Sequence, residues 1–260
     1  MVKARVNIAG KRFPTDKLRV HDMIATNRVS FPDSSHLLAL TMRGCEVARL
    51  SALAISEGIA SRATILSDQV RKFEEELDTL DRQVNEDVTS TLEQGCGNRT
   101  RELLSCLKFI IELERIGDLL LDVANRLQTV GPRLQSQDAH DLSQMAAILS
   151  TMLADVGQAF EQRDVRRALE VLKADTELDR LRNLLFVRHI ENPQNEPRQE
   201  SFHLVFMSQA LERGGDHAKN LAEEICHLVS GRSVRHILRD YDRPVEQVYL
   251  ERMRRSRPEK

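Results

Sequence analysis

Eight acidic residues fall into four pairs whose members are four positions apart: Glu74 and Asp78, Glu114 and Asp118, Asp175 and Asp179, Glu212 and Asp216. On an α-helix such a pair is separated by only ~40° around the axis and shares one face. The surrounding sequence makes that face partly apolar. At ~100° per residue, Leu103, Leu107, Ile110, Ile111 and Leu121 each point within ~40° of Glu114 or Asp118. Glu74 and Asp78 follow the apolar residues Phe73 and Leu77 by one position, and Asp175 and Asp179 follow Ala174 and Leu178 in the same way. An unpaired carboxylate beside apolar surface is costly, and neighbouring carboxylates disfavour one another's charged form. A hard cation with oxygen ligands is the simplest compensation, and an all-oxygen site suits Mg²⁺, Ca²⁺, Mn²⁺ or iron better than copper. The competing arrangement is ion pairing with arginines of neighbouring helices, for which Arg115 and Arg213 are at hand.

The elements that position these acids repeat along the chain. "LERIGD" at 113–118 returns as "LERGGD" at 211–216, a shift of 98 that also pairs Ala124 with Ala222. A shift of 101 lays "EEELDTL" at 74–80 on "DTELDRL" at 175–181, matching the acids 74/175, 76/177 and 78/179 and the leucines 77/178 and 80/181. Apolar periodicity predicts helices over about 35–56, up to 94, 99–130, 133–162, 164–190 and 198–230. In the second of them Leu66, Val70, Phe73, Leu77, Leu80, Val84, Val88 and Leu92 alternate spacings of four and three, the seam of a long helix packed nearly parallel to its neighbours. The breaks carry their own signals. They are Glu57-Gly58, "GCGN" at 95–98, Gly131-Pro132, and the loop "ENPQNEP", whose two prolines cannot continue a helix. Three helices followed by three more make an all-α chain with an internal duplication of about 100 residues, its halves at 35–131 and 132–231. Residues 1–34 read as an irregular N-terminal arm and 232–260 as a basic C-terminal tail.

Composition narrows the function. Charged residues make up 30% of the 260, and charge interrupts every apolar run well short of the roughly 20 residues a membrane span needs. Cys45, Cys96, Cys106 and Cys226 are scattered without a CxxC pair, and no secretory leader pattern opens the chain, so a reduced, cytoplasmic protein is expected. Seven Lys/Arg face three Asp/Glu in residues 1–35 and nine face five in 231–260, which leaves each end at +4 and the middle at −10. Basic ends this mild are ordinary solvated tails, and no nucleic-acid partner is expected. Neither a GxSxG elbow nor a GxxxxGK[ST] phosphate loop occurs, which argues against an enzyme.

The motifs "ELERIGD", "ALERGGDHAKNLAE" and "GRSVRH" (231–236), with an acidic helix before each third helix, resemble the PhoU family of phosphate-transport regulatory proteins over about residues 35–240. The resemblance implies two tandem three-helix bundles related by the internal duplication, at 35–131 and 132–231, and metal clusters on the acidic motifs, with Glu74, Asp78, Glu114 and Asp118 at the first site and Asp175, Asp179, Glu212 and Asp216 at the second. The metal would be iron, zinc, manganese or magnesium. It further implies a commonly dimeric, non-enzymatic regulator of phosphate uptake and phosphate-responsive signalling. Its partners would be a phosphate ABC transporter subunit and a sensor histidine kinase, with membrane contact only through them. This chain departs from the family pattern in its long arm, in Gly214 where the first copy has Ile116, and in Asn220 where the first has Asp122. The departures within the second copy make its site the looser of the two.

Two other readings remain. One is a metal-free helical scaffold or adaptor. The other is a di-metal carboxylate oxidase, which needs ExxH on two helices. Glu200 to His203 and Glu224 to His227 supply the spacing but fall on one predicted helix. His203, His217, His227 and His236 read as surface or packing residues rather than ligands.

Overall fold

A computed structural model of the chain describes residues 35–61, 66–93, 99–191 and 199–230. The long helices are α1 (Ser35–Ser61), α2 (Ser67–Glu93), α3 (Thr100–Val130), α4 (Ser136–Gln162), α5 (Val165–Phe186) and α6 (Gln199–Ser230). A 3-10 turn at Gly131–Arg133 links α3 to α4, and a π-helical turn at Val187–Glu191 extends α5. Helices α1 to α3 form one three-helix bundle and α4 to α6 the other. The arm at 1–34, the tail at 232–260 and the "GCGN" turn lie outside the described residues, as does the loop after Glu191.

Local chemistry sets the helix ends. The Asp164 carboxylate accepts hydrogen bonds from the amides of Arg166 and Arg167 at 2.9 and 3.3 Å, capping α5, an interaction worth about 1 kcal/mol. One residue earlier Arg163 takes a left-handed conformation, φ 55°, and closes α4 with its amide on Ala159 O. Its guanidinium then reaches Glu102 of α3 at 2.6 Å while lying over the Phe160 ring. Helix α1 runs past Glu57-Gly58, where the sequence predicts a stop. Gly58 serves packing there, since a Cβ on it would lie 2.6 Å from Leu66 Cδ2. In α2 the predicted seam is buried from Leu66 to Val88, apart from the half-buried Phe73, while Leu92 is exposed.

The two bundles share one core. α1 packs along α4 and α3 along α6, so these four helices form the centre while α2 and α5 lie outside. Phe109 and Phe160 stack at the junction with ring centroids 4.1 Å apart. Ser56 and Ser143 each donate a hydroxyl hydrogen bond to the other's carbonyl, at 2.9 and 3.0 Å, which satisfies buried polar groups where α1 crosses α4.

Arg188 in the π turn holds the start of α4, bonding Asp138 at 2.6 Å and Asp141 at 2.7 Å, and His189 Nε2 lies 3.0 Å from the same Asp138 oxygen. Burial alone would push the Asp138 carboxyl up, but His189 and Arg188 outweigh it and hold the group below the usual range. Its contribution to stability is therefore complete above the ordinary carboxylate pKa and is lost as pH falls through the depressed native value. Replacing Arg188 by Met leaves two buried carboxylates without their guanidinium, Asp138 keeping His189 and Asp141 keeping the Gln137 amide. The expected loss is about 3 kcal/mol, a fall in Tm on the order of 10 °C, measurable by thermal unfolding followed by circular dichroism.

Candidate metal centres

The grooves that carry the acidic pairs are set by two leucines and two glycines. In the first half Leu77 of α2 lies against the backbone of α3 at Gly117, where a Cβ would come within 2.7 Å of Leu77 Cδ1. In the second half Leu178 of α5 meets Gly215 of α6 in the same way and closer still. These are equivalent positions of the two copies, so the glycine of each LERxGD is the seat for a leucine of the preceding helix. The acids flank that contact.

Between α2 and α3, Glu74 and Glu114 are partly buried and Asp78 and Asp118 exposed. Glu74 is raised above the usual carboxylate range by burial first and then by Asp78 and Asp118. Glu114 is raised by burial and Asp118, with Asp78 and Asp81 adding to the effect and Arg115 opposing it. The four predicted carboxylates thus share one field. The nearest cation is weakly engaged: Arg115 lies 3.5 Å from Glu114 and 3.8 Å from Asp118 along its own helix, with its side chain 59% exposed. Asp81 is an addition that the repeat pattern hides, because a shift of 101 aligns it with Arg182. The stripe beside Glu114 is also less apolar than its wheel suggests, since Ile111 is exposed and Leu107 and Leu121 are only partly buried.

Between α5 and α6 the same acids meet different neighbours. Asp175 is buried and Glu212 partly so, and both are raised, chiefly by burial. Lys219 Nζ reaches Asp175 Oδ2 at 2.8 Å. Arg182 reaches Glu212 Oε1 at 3.3 Å and Asp179 Oδ1 at 3.9 Å, while Asp216 stays exposed. Gly214 does not face this groove. It packs against Leu149 of α4, where a Cβ would come within 2.8 Å of a leucine methyl, so the Ile116 to Gly214 difference belongs to the core.

Among the described residues no three His, Cys, Asp or Glu side chains stand close enough together to enclose a metal ion. The donor chemistry of the first groove nevertheless fits a hard cation: Glu74, Asp78, Asp81, Glu114 and Asp118 offer only oxygens, two of the five are desolvated, and among the described residues Arg115 at the rim is the one ion-pair partner, with Arg71 adding a weaker field at Glu74. The second groove fits one poorly, because Lys219 and Arg182 already stand on its carboxylates.

The two ExxH glutamates, His217 and His227 are engaged elsewhere, while His203 Nδ1 is buried with no hydrogen-bond partner among the described residues and His236 lies outside them. Glu200 bonds Arg133 at 2.6 Å, and Glu224 accepts from Ser105 and Lys108 at 2.7 and 2.8 Å. His227 sits 3.6 Å from Glu224 of its own turn. His217 Nδ1 lies 2.6 Å from Glu112 of α3, which also accepts from Asn220 at 3.2 Å. Both ExxH segments lie on α6, so the geometry of a di-metal oxidase is not assembled from them.

Raised carboxyls oppose folding at neutral pH. A Glu114 whose native value exceeds its unfolded one binds its proton more tightly in the folded chain, so this destabilisation sets in as pH rises through the window between the two values and is complete above it. Glu114→Gln removes the charge and its i,i+4 repulsion with Asp118. The metal-free variant should be more stable than wild type at pH 7 by at least ~0.3 kcal/mol, a rise in Tm on the order of 1 °C, with the advantage shrinking on acidification. Gly215→Ala should act the other way: the overlap with Leu178 costs about 1–3 kcal/mol against a gain in helix propensity of at most about 1 kcal/mol. Urea unfolding would reveal a lower midpoint with an unchanged slope.

Residues 47–127 and 142–225 each match the PhoU domain family model. A Pseudomonas aeruginosa protein named phosphate-specific transport system accessory protein PhoU homolog is 29% identical over 177 residues, which are 66% of this chain and 73% of that protein. A Caulobacter vibrioides protein of the same name is 30% identical and covers 73% of this chain and 87% of its own length. The crystal structure of PhoU from Pseudomonas aeruginosa matches at a TM-score of 0.69 and 23% identity, covering 76% of this chain and 97% of that one. That of the phosphate transport system regulatory protein PhoU from Streptococcus pneumoniae matches at 0.70 and 19%, covering 77% and 96%. The two matched segments fall on the two duplicated bundles and together span more than half of the residues: the chain belongs to the PhoU family.

Proposed function

We propose that this chain is an accessory regulator of phosphate transport that acts by binding. The observation that carries the reading is the family match in both halves, together with relatives named as phosphate-specific transport system accessory proteins. The finer reading is that it engages a phosphate ABC transporter subunit, a sensor histidine kinase, or both, from the cytoplasmic side, as a non-enzymatic homodimer. Among the described residues no helix is long and apolar enough to cross a membrane, so membrane contact in this reading passes through the partners.

Metal enters through the first groove. Glu74, Asp78, Glu114 and Asp118, with Asp81, would hold a hard divalent or trivalent cation, iron, manganese, magnesium or zinc, whose charge relieves their repulsion. The protein's part is to hold the carboxylates on two helices clamped at Leu77 and Gly117. Support comes from the raised Glu74 and Glu114 and from the weakness of Arg115 as the partner of Glu114 and Asp118. A metal-free scaffold is the second reading, favoured by the absence of a closed donor set among the described residues. Metal analysis of the purified chain separates the two.

A strain lacking this chain should lose phosphate-dependent control: uptake and phosphate-responsive expression stay high when phosphate is abundant. Unchanged uptake and expression would overturn the regulatory reading. Pull-down with and without residues 1–34 then identifies the partner and tests whether the arm selects it.

A further inference from the structure

We propose that the second groove carries its own cation: Lys219 and Arg182 take the place between α5 and α6 that a metal ion takes between α2 and α3, so the chain loads metal in its first half alone. The inference rests on the reading of the first groove as a metal site, and it concerns what the second copy has become.

The two copies differ at two inward-acting positions. A shift of 98 aligns Lys219 with Leu121, and a shift of 101 aligns Arg182 with Asp81. The first groove therefore gathers five carboxylates with one exposed arginine at its rim, and the second gathers four with two cations inserted among them. Leu121 brings no charge, and among the described residues Glu74 feels Arg71 and Glu114 feels Arg115, of which Arg115 alone makes an ion pair in the groove.

Geometry makes the substitution hard to reverse. Asp175 is 5% exposed, and its Oδ2 accepts from Lys219 Nζ at 2.8 Å. Its Oδ1 packs against Gly215, 3.4 Å from where a Cβ would stand. Oδ2 is thus taken by the ammonium, and Oδ1 lies against the α6 backbone. A divalent ion bonds carboxylate oxygen at roughly 2.0–2.6 Å and would need the lone pairs that the ammonium uses. Displacing the ammonium leaves like charges side by side in a poorly solvated groove. Arg182 repeats the obstacle on Glu212, to which it donates a hydrogen bond at 3.3 Å. Gly214 plays no part, since it packs against Leu149.

The test uses the full chain, stripped with a chelator and titrated with Mn²⁺ by calorimetry, with bound metal counted by electron paramagnetic resonance. Glu114→Gln/Asp118→Asn should weaken Mn²⁺ binding at least tenfold, while Glu212→Gln/Asp216→Asn leaves affinity and stoichiometry as in wild type. Lys219→Met/Arg182→Gln should raise the stoichiometry by opening the second groove. A loss of about half the bound metal in Glu212→Gln/Asp216→Asn overturns the proposal, as does a folded Lys219→Met/Arg182→Gln chain that binds no more Mn²⁺ than wild type. If that double variant does not fold, Arg182→Gln alone takes its place; it leaves the Asp175–Lys219 pair intact and should gain a weaker second site. Should wild type bind no Mn²⁺, the reading of the first groove fails, and the second-groove proposal still stands or falls on whether removing the cations creates a site.

Discussion

Everything distinctive here follows from apolar packing that forces like charges together. A leucine seated on a glycine draws α2 onto α3 and α5 onto α6, and the acids one position away are carried along. The magnitudes say which effect prevails. Burying a leucine contributes about 1.5–3 kcal/mol, whereas an exposed like-charge pair at i,i+4 costs only about 0.2–0.5 kcal/mol. The helices therefore close, and burial first, with the repulsion adding to it, leaves these carboxyls displaced upward from their usual range. Each groove is a stable piece of structure with a demand for positive charge.

The copies resolve that demand differently while keeping the same packing. Leu77 with Gly117 and Leu178 with Gly215 are interchangeable, because a helix crossing tolerates little change in volume. The electrostatics around them is freer, since an aspartate and an arginine fit equally well at a groove margin. In the second half a buried Asp175 would be expensive without a partner, and Lys219 supplies one. In the first half the equivalent Glu74 keeps some contact with solvent, so its charge can be met from outside.

The sequence carries the fold in the periodicity of its leucines and in the duplication, and the helix limits at α3, α4 and α6 follow within three residues. Gly58 was misleading because glycine marks both helix ends and close helix contacts, and only the tertiary partner, Leu66, decides between them. The candidate grooves are legible because each needs two i,i+4 pairs, a local pattern. Asp81, Arg182 and Lys219 are not, because a search for what the halves share discards what they do not. Nor can spacing tell which side Gly214 faces. Its neighbour in sequence, Gly215, seats a leucine of α5, while Gly214, turned by ~100°, seats one of α4.

That rotation links the grooves to the core. Along α3, Glu114 and Asp118 face α2, while Ser105, Lys108 and Glu112 meet Glu224, His217 and Asn220 of α6. The helix that holds half of the first groove is thus also the seam between the two bundles, and the buried Ile116 and Leu120 lie between its two polar faces. A cation present at a hundred times its dissociation constant adds about 2.7 kcal/mol to whichever arrangement of α2 and α3 it binds. Close-packed interiors transmit strain rather than absorb it. Because α3 packs on both α2 and α6, any such free energy that displaces α3 rather than the outer α2 would act on the joint between the halves as well as on the first bundle, whereas Lys219 and Arg182 pair with the carboxylates of the second groove without an added ion.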